Sequence, residues 1–511
     1  MKVLLIHPPN PDTVLTEKRA LQLIGKKGLI PPLGLLTVAA LLPSEWDLKF
    51  VDAALGEIPP ADLNACQLMM VTGTNYQEEQ IIRIIEEGKK LGKTVIVGGP
   101  WSFHCSQEAL QAGADLVVRG EAEVLGQVLL NKLNRREFGS VVQAENHAGM
   151  EMVPRPRFDL VPMNKYFVMP IQYSRGCPHR CAFCDVTYMF GRKVRSKKPT
   201  QFIEELEFLY HLGWRGYVFV VDDNFVAIPA RTKALLRELI PWMHGRRTPF
   251  RFVTQSSISL AADDELLELM VQAGFERVCI GIESTDAETL ERIGKHQNLK
   301  IDLEAACRKI NRAGLVVIAT CIIGLDGEKS GVDVSLAAFA SRTHIPELYL
   351  APLFVDPGTD LWHRLKDEGR LLPRSDARWG DLTRLVNFQT ERPLEQIVRE
   401  IINFNQLMYE PRSFLERVYR HLTAMKRIST GPSSIKLDLQ EVVGVLIILF
   451  KQGVVYPSRW TFWKLLCKIL KACPERLGLF FRYCGLGIHY DAFRKDLVKR
   501  LTDPQAKIAV P

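Results

Sequence analysis

Short apolar runs alternate with amphipathic stretches over the first 125 residues. The runs are rich in β-branched residues, a pattern typical of parallel strands covered on both faces. Between two of them, Glu78–Leu91 carries Ile81 and Ile85 on one helical face and precedes a terminating glycine. The pattern predicts an α/β domain with a doubly wound sheet of flavodoxin-like or Rossmann type, whose ligands bind beyond the carboxyl ends of the strands. The predicted strands are Val3–Ile6, Leu48–Val51, Leu68–Val71, Val95–Val97 and Leu116–Val118.

A second alternation of strand and helix patterns runs from about residue 168 to 355, after a proline-bearing linker without a sustained period. Six strand–helix repeats predict a partial or complete TIM-like barrel, (β/α)6, whose chemistry lies at the carboxyl ends of its strands. Beyond about residue 380, helical, aromatic and basic sequence predicts a separate α-helical domain. We therefore expect domains at 1–140, 168–384 and 385–511, with a linker at 141–167. The predicted barrel strands are Ile171–Ser174, Tyr217–Val221, Phe250–Thr254, Val278–Ile282, Val316–Thr320 and Leu348–Pro352.

Composition narrows the class of protein. Of 511 residues, 47% are apolar and 24% charged, which excludes a disordered chain and a polytopic membrane protein. The net charge is +8, and residues 411–511 alone hold 18 Lys and Arg against 7 Asp and Glu. Eleven cysteines are too few for a disulfide scaffold and indicate the reducing cytoplasm. The N-terminus predicts a strand rather than a signal peptide, and the longest apolar run, Val442–Phe450, is too short for a transmembrane helix.

Three cysteines, Cys177, Cys181 and Cys184, follow the first predicted barrel strand at C-x3-C-x2-C spacing. Three such thiolates on one loop can ligate three irons of a 4Fe–4S cluster and leave the fourth iron open to a substrate. Two other interpretations stay open from the residues alone. One is a zinc site that His179 completes, and the other is a chance grouping of buried cysteines.

This segment, with the aromatic Phe183 before its third cysteine, resembles the signature of the radical S-adenosylmethionine (SAM) enzymes. The resemblance implies that the three cysteines hold a 4Fe–4S cluster whose open iron chelates SAM. Further segments at predicted strand ends resemble the family's SAM contacts, although Asp222-Asp223-Asn224 stands where Gly-Gly-Glu is usual. Taken singly, Asp222 and Glu283 are also compatible with ordinary loop or capping carboxylates. The implied SAM-binding residues are Phe183, Asp222, Asp223, Gly281, Glu283, Ile322 and Gly324.

The remaining cysteines carry weaker signals. Three in the barrel region lie inside strand or helix patterns and are expected in the core. Three in the C-terminal region are spaced too irregularly for an auxiliary cluster. Only two fall in the first 150 residues, too few for the additional cluster of a methylthiotransferase. The barrel cysteines are Cys279, Cys307 and Cys321, and the C-terminal cysteines are Cys467, Cys473 and Cys484. The two in the first 150 residues are Cys66 and Cys105.

The N-terminal domain resembles the cobalamin-binding domain of the B12-dependent radical SAM enzymes. Its glycine turns allow the backbone to approach a bulky ligand, and Arg19–Leu42 is expected to cover the upper face of the cobalamin. No Asp-x-His-x-x-Gly motif surrounds His7, so the resemblance implies cobalamin without a protein histidine ligand. A domain that holds no cofactor is the alternative. The implied cobalamin-binding residues are Thr72, Gly73, Thr74, Gly98, Gly99, Pro100, Gly120 and Glu121.

Beyond residue 385 the chain resembles the helical extension of a subset that includes hopanoid methylases. Aromatic and basic residues interleave in Trp460–Lys468 and Phe480–Arg482, a composition that suits peripheral contact with the inner face of a membrane. The alternative is that these basic residues form an ordinary solvent-exposed face of the helical domain. Nucleic-acid binding is not expected, because no recognised motif accompanies the charge.

Together these features predict a cobalamin-dependent radical SAM C-methyltransferase acting on an unactivated carbon of a small metabolite, which the tail suggests is lipid-like. The resemblance implies a 5′-deoxyadenosyl radical that abstracts hydrogen, methyl transfer from methylcobalamin, and an electron donor such as flavodoxin or ferredoxin. No catalytic residue beyond the cluster ligands is assigned. The alternatives are a cobalamin radical SAM cyclase or oxidoreductase resembling the anaerobic magnesium-protoporphyrin ester cyclase and, outside enzymes, a metal-stabilised nucleic-acid-binding module.

Overall fold

Two parallel sheets of six strands each form the framework of the molecule, in a computed structural model that describes residues 1–373, 386–426 and 439–502. The first sheet belongs to the N-terminal region and the second to the barrel. A set of helices follows the second sheet in the chain. The α/β class and the helical C-terminal region agree with the prediction.

The N-terminal sheet contains β1 (Lys2–His7), β2 (Asp47–Asp52), β3 (Leu68–Thr72), β4 (Thr94–Gly98), β5 (Leu116–Arg119) and β6 (Ser140–Gln143). All neighbours are parallel, in the order β2-β1-β3-β4-β5-β6. Apolar side chains fill a layer on each face of the sheet, which is therefore doubly wound as predicted. The sequence pattern misses β6, because this edge strand buries only one side chain, Val142. The helices of this region are α1 (Lys18–Leu23), α2 (Leu33–Leu41), α3 (Pro60–Ala65), α4 (Glu78–Lys90), α5 (Pro100–His104), α6 (Ser106–Gln111) and α7 (Ala122–Arg135).

The barrel sheet contains β7 (Val168–Ile171), β10 (Gly216–Val220), β11 (Phe250–Ser256), β12 (Phe275–Glu283), β13 (Val316–Ile323) and β14 (Glu347–Pro352), all parallel and paired in chain order. It stays open between β7 and β14, so the barrel is partial. A short antiparallel pair, β8 (Ser174–Arg175) and β9 (Arg195–Ser196), flanks the cysteine loop. The helices are α8 (Val186–Phe190), α9 (Pro199–His211), α10 (Pro229–Gly245), α11 (Asp264–Gln272), α12 (Ala287–Arg292), α13 (His296–Leu299), α14 (Leu303–Ala313), α15 (Val332–Thr343) and α16 (Asp360–Asp367).

The first barrel strand begins earlier than predicted. The pattern places it at Ile171–Ser174, whereas β7 spans Val168–Ile171 and all four of its side chains are buried. Pro170 lies inside this strand, which an edge strand tolerates because one side of its backbone has no strand partner. The predicted strand therefore begins three residues too late.

The C-terminal helices are α17 (Leu394–Tyr409), α18 (Pro411–Ala424), α19 (Leu439–Phe450), α20 (Arg459–Ala472) and α21 (Leu477–Thr502), with a π-helical turn at Lys451–Val455. They share one hydrophobic core with the barrel, so the region is less separate than expected. Tyr490 of α21 bonds Tyr349 of β14 through their hydroxyls at 2.6 Å. The predicted boundary at residues 384 and 385 lies outside the described residues. In the described parts of the chain, no helix is both long and apolar enough to cross a membrane.

The carboxyl ends of the two sheets face a common interface. Glu121, just after β5, accepts hydrogen bonds from Arg195 of β9, and Glu123 accepts one from Arg175 of β8 at 2.7 Å. On the other side of the interface, Asn75 after β3 donates to Asp356 after β14. Since ligands of parallel sheets bind beyond the carboxyl ends of the strands, both predicted ligand-binding edges open into the same space.

Candidate active site

The three signature cysteines lie on one loop between β8 and α8, and each is partly buried. The middle of the loop is fixed through its backbone, because the Ala182 amide donates to the Ile293 carbonyl at 2.9 Å. Gly294 allows this approach: its φ is +70°, and a Cβ there would lie 2.6 Å from the Arg180 carbonyl oxygen. The loop is therefore held in a defined shape by the segment that follows α12.

Burial dominates the electrostatics of these thiols. It raises the pKa of Cys184 to about 12 and also raises the pKa of Cys177, and neighbouring thiolates reinforce both shifts. Within the described ranges, no three His, Cys, Asp or Glu side chains are arranged to hold a single metal ion. A 4Fe–4S cluster takes more widely spaced thiols than one ion does, and three partly buried sulfur donors on one loop fit its chemistry.

Two side chains that the sequence did not predict stand beside the cysteines. The Gln297 side-chain amide lies 3.6 Å from the Cys181 sulfur. The Lys295 ammonium lies 5.9 Å from the centre of the Phe183 ring and donates to Glu283 at 2.7 Å. Burial opposes the charge of Lys295, but Glu283 and the thiols raise its pKa. Lys295 and Gln297 belong to no recognisable sequence motif, so their position beside the cysteines is apparent only from the fold.

The Asp-Asp-Asn segment after β10 lies at the base of the cysteine loop. Asp222 accepts hydrogen bonds from the Tyr173 amide at 2.7 Å and the Ser174 hydroxyl at 2.6 Å, one on each carboxyl oxygen. Burial raises its pKa to about 7. Asp222 thus holds the chain that leads into the loop. Asp223 is only partly buried and accepts from the Gly176 amide at 3.0 Å, so it is the acid of this pair nearer to the cysteines.

The other predicted SAM residues lie at the ends of β12 and β13, which are neighbours. Glu283 is buried and has φ +60°. The Glu283–Lys295 pair occupies the space beside Gly281, where a Cβ would lie 2.2 Å from a Glu283 oxygen. Ile322 is partly buried, and the amide of Gly324 donates to Glu328 at 3.0 Å. The structure therefore brings Phe183 and Glu283 together through Lys295, while Ile322 and Gly324 end the adjacent strand.

The three glycine turns of the N-terminal sheet lie at its carboxyl edge. Gly99 has φ +92°, and a Cβ there would lie 2.3 Å from the Thr72 hydroxyl, so the turns after β3 and β4 are in direct contact. The Gly73 carbonyl accepts from the Trp101 amide at 3.0 Å. By contrast, Gly98 faces open space apart from one carbon of Val118, 3.7 Å from a Cβ placed there. The predicted residues of these two turns are Thr72, Gly73, Thr74, Gly98, Gly99 and Pro100.

The third turn, Gly120-Glu121, has a different role in the structure. Burial opposes the charge of Glu121, yet Arg195 and Arg175 lower its pKa, and its oxygens also accept from the Ala148 amide at 2.6 Å. The carboxylate therefore joins the end of β5 to the β8–β9 pair that flanks the cysteine loop. Its contacts belong to the protein rather than to an open ligand edge.

His7 ends β1 at the point where the strand order reverses. Its Nδ1 lies 2.9 Å from Asp52, and its Nε2 lies 3.2 Å from the Gln77 side-chain nitrogen. Both ring nitrogens are engaged within the protein.

An apolar cavity of about 290 Å³ lies where the three regions of the chain meet. The sequence could not predict it, because its walls come from a loop before α1, the turn after β3, the end of β14 and helices α17 and α21. We call it the three-way cavity. Representative lining residues are Val14, Tyr76, Leu350, Phe354, Phe493 and Leu497.

A second, more open concavity of about 420 Å³ adjoins the cysteine loop. Its lining includes His179 and Arg180 of the loop together with Arg192, His296 and Lys300, and contains no Asp or Glu. We call it the basic concavity. It gives the cysteine loop a positively charged approach from solvent.

The three barrel cysteines outside the signature loop lie in or against the core, as predicted. Cys307 and Cys321 are buried in the barrel core, and Cys279 is partly buried against it. In the C-terminal helices, Cys467 is exposed whereas Cys473 and Cys484 are buried. These differences in exposure do not favour a common ligand set.

Comparison with known proteins decides the family. The Radical SAM superfamily model matches residues 171–331, and the "Domain of unknown function (DUF4070)" model matches residues 359–503. An uncharacterized methyltransferase of Synechocystis is 38% identical over 97% of this chain and 92% of its own length. The hopanoid C-2 methylase of Rhodopseudomonas palustris is 30% identical over 88% of this chain and 86% of its own. The chain belongs to the B12-binding radical SAM superfamily.

Within this superfamily, solved structures share the fold. The cobalamin-dependent SAM radical enzyme OxsB, solved with aqua-cobalamin and SAM bound, superposes with a TM-score of 0.59 at 14% identity, covering 100% of this chain and 81% of that one. A relative whose name gives a different activity is less similar. The anaerobic magnesium-protoporphyrin IX monomethyl ester cyclase of Synechocystis is 25% identical over 63% of this chain and 68% of its own.

Proposed function

We propose that this protein is a cobalamin-dependent radical SAM C-methyltransferase that acts on an unactivated carbon of a small apolar metabolite. One observation carries the proposal: the loop of Cys177, Cys181 and Cys184 lies at the interface onto which the ligand-binding edges of both sheets open. The names of the two relatives with 38% and 30% identity, a methyltransferase and a methylase, favour methyl transfer. A cyclase is the second candidate, supported by the more distant relative at 25% identity.

In this proposal the three cysteines hold the 4Fe–4S cluster, and Phe183, Asp223 and Glu283 line the SAM site beside it. When bound, the cluster with SAM supplies a carbon radical, and cobalamin supplies the methyl group. Lys295 neutralises charge next to the thiolates and fixes Glu283 through their 2.7 Å bond. Asp222 acts through the loop rather than on a ligand, since both its oxygens bond the chain before Cys177.

The turns after β3 and β4 would hold the cobalamin. Their fit rests on the open space beside Gly98 and on backbone amides without bulky side chains. His7 would not reach the cobalt, because Asp52 and Gln77 occupy both of its nitrogens. We assign Glu121 to the contact between the sheets instead of to the cofactor.

The three-way cavity is the proposed substrate site. Its walls are largely apolar, and its only charged lining residues are Asp12 and Arg500 among the described residues. Such a cavity favours an apolar body and excludes water from reacting atoms. Thr74 and Tyr76 of its wall follow β3, so the substrate would lie next to the proposed cobalamin edge.

The reducing electron would enter through the basic concavity. An acidic cytoplasmic donor such as flavodoxin or ferredoxin has the complementary charge, and the wall of the concavity is the cysteine loop itself. Arg180 and Lys300 are the proposed contacts. This site lies apart from the three-way cavity, since the two share no lining residue.

Cofactor content after anaerobic purification tests this proposal. Protein from cells supplied with cobalamin should contain about one cobalamin and about four irons per chain. Mass spectrometry measures the cobalamin content, and a colorimetric assay measures the iron content. Iron without cobalamin, even after incubation with hydroxocobalamin, would contradict the assignment of the N-terminal domain while leaving the radical SAM barrel intact.

A further inference from the structure

Helix α19 exposes a continuous strip of large apolar side chains. Their spacing of three and four residues puts them on one face of the helix and of the π-helical turn that extends it. Leu439 is 79% exposed, Leu446 60% and Phe450 61%. On the opposite face Ile448 is buried, and a Cβ on Gly444 would lie 2.6 Å from the Leu23 carbonyl oxygen of α1. The apolar strip consists of Leu439, Val442, Val443, Leu446, Phe450, Val454 and Val455.

Helix α20 continues this surface with a different chemistry. Its buried face consists of Phe462, Leu465, Leu466 and Ile469, whereas its exposed face begins with Trp460 and Trp463 and continues with lysines. Trp460 is 75% exposed. The Trp463 indole donates to the Gly453 carbonyl at 2.9 Å, which ties α20 to the π-helical turn. The exposed bases are Lys464, Lys468 and Lys471.

The charge and the aromatic content of this surface indicate which kind of partner can bind it. Residues 439–472 contain one acid, Glu441, against five bases. A patch of this extent exceeds the scattered apolar residues of an ordinary surface. Tryptophan prefers the boundary between hydrocarbon and water, and lysines beside it attract anionic headgroups. A second copy of the chain would bring the same lysines together and would repel itself electrostatically.

We propose that the apolar strip and the exposed face of α20 form a docking surface for an anionic lipid bilayer. The apolar strip enters the headgroup–acyl boundary, the two tryptophans lie at its edge and the lysines contact the headgroups. Helix α21 packs against α19 and also lines the three-way cavity through Phe493 and Leu497. If the proposed function holds, an apolar substrate would reach the cavity from the membrane; the docking itself does not depend on that function.

Flotation of the full, anaerobically purified chain with vesicles tests the proposal. Phosphatidylglycerol vesicles should float the protein at low salt, and phosphatidylcholine vesicles should do so far less. Leu446→Glu with Phe450→Glu should weaken binding by about tenfold or more. Replacing Lys464, Lys468 and Lys471 by Gln should weaken binding by about a hundredfold at low salt and make it much less dependent on salt concentration. Val128→Glu, on an exposed residue of α7, is the matched control and should bind as wild type does.

Iron content and thermal unfolding verify that each variant is folded. A second test uses the wild-type chain alone. Hydrogen exchange of residues 439–472 should slow when phosphatidylglycerol vesicles are added. Failure of the wild type to float, or unchanged exchange, would overturn the proposal. A wild-type dimer that Leu446→Glu dissociates, without vesicle binding, would assign the surface to a second copy instead. Cobalamin and product measurements are unaffected by these outcomes, so they test the enzymatic proposal separately.

Discussion

Cys181 stands out among the three signature cysteines because the Gln297 side chain reaches its sulfur. Without this thiol, two sulfur donors remain on the loop, too few to retain a 4Fe–4S cluster with one open iron. We therefore expect Cys181→Ala, reconstituted anaerobically, to lose the visible iron–sulfur absorbance. Cys467→Ala, at an exposed cysteine of α20, should keep it. An intact 4Fe–4S spectrum in Cys181→Ala would contradict the ligand assignment.

At the residue scale, sequence reasoning succeeds where the chemistry is local. The three cysteines and Phe183 lie within one short loop, so their spacing identifies them as a candidate ligand group, and the resemblance to the radical SAM signature implies the cluster. Lys295 and Gln297 lie more than a hundred residues away, and only the packing of the loop against the segment after α12 brings them there. For Asp222, the sequence leaves a ligand contact and an ordinary loop carboxylate both open. Its position in the chain suggests a ligand contact, whereas its two short bonds hold the base of the loop.

Asp222 also makes the stability of the barrel depend on pH. Burial raises its pKa to about 7 in the folded chain, from the ordinary aspartate value of 3.8. The folded state therefore binds a proton more tightly than the unfolded state, and the free energy of unfolding falls as pH rises between these values. From pH 5 to pH 8 this loss is about 2.5 kcal/mol, and Asp222→Asn should remove it.

Denaturant unfolding of the cofactor-free protein, followed by circular dichroism at pH 5 and pH 8, measures this difference. Asp263→Asn is the control, because a hydrogen bond from Lys233 lowers the pKa of Asp263. That group is ionised at both pH values, so its replacement should change stability equally at each. A pH dependence as large in Asp222→Asn as in wild type would assign the titration to another group.

At the scale of elements, the apolar runs predict the strands of both sheets because buried parallel strands need continuous apolar sequence. The pattern fails at sheet edges, where that requirement is relaxed. β6 buries one side chain, and β7 accommodates Pro170. The packing of α17–α21 into the barrel core could not be predicted either, since an amphipathic helix does not specify what covers its apolar face.

At the scale of the whole molecule, the net charge of +8 is a sum over regions with different surfaces. The barrel contributes the basic concavity beside the cysteines, and α20 contributes exposed lysines far along the chain. The three-way cavity depends on all three regions and has no counterpart in any single segment. For these reasons the three-way cavity could be found only from the assembled fold, whereas the cysteine loop is recognisable in the sequence.

The reaction products test the central claim most directly. The holoenzyme, a one-electron reductant and SAM carrying a deuterated methyl group would be incubated with an apolar extract of a strain that lacks this protein. Methyl transfer predicts S-adenosylhomocysteine and 5′-deoxyadenosine in about equal amounts, and a product that carries the deuterated methyl group, all measured by mass spectrometry. Formation of 5′-deoxyadenosine without S-adenosylhomocysteine or label in the product would contradict methyl transfer and favour the cyclase.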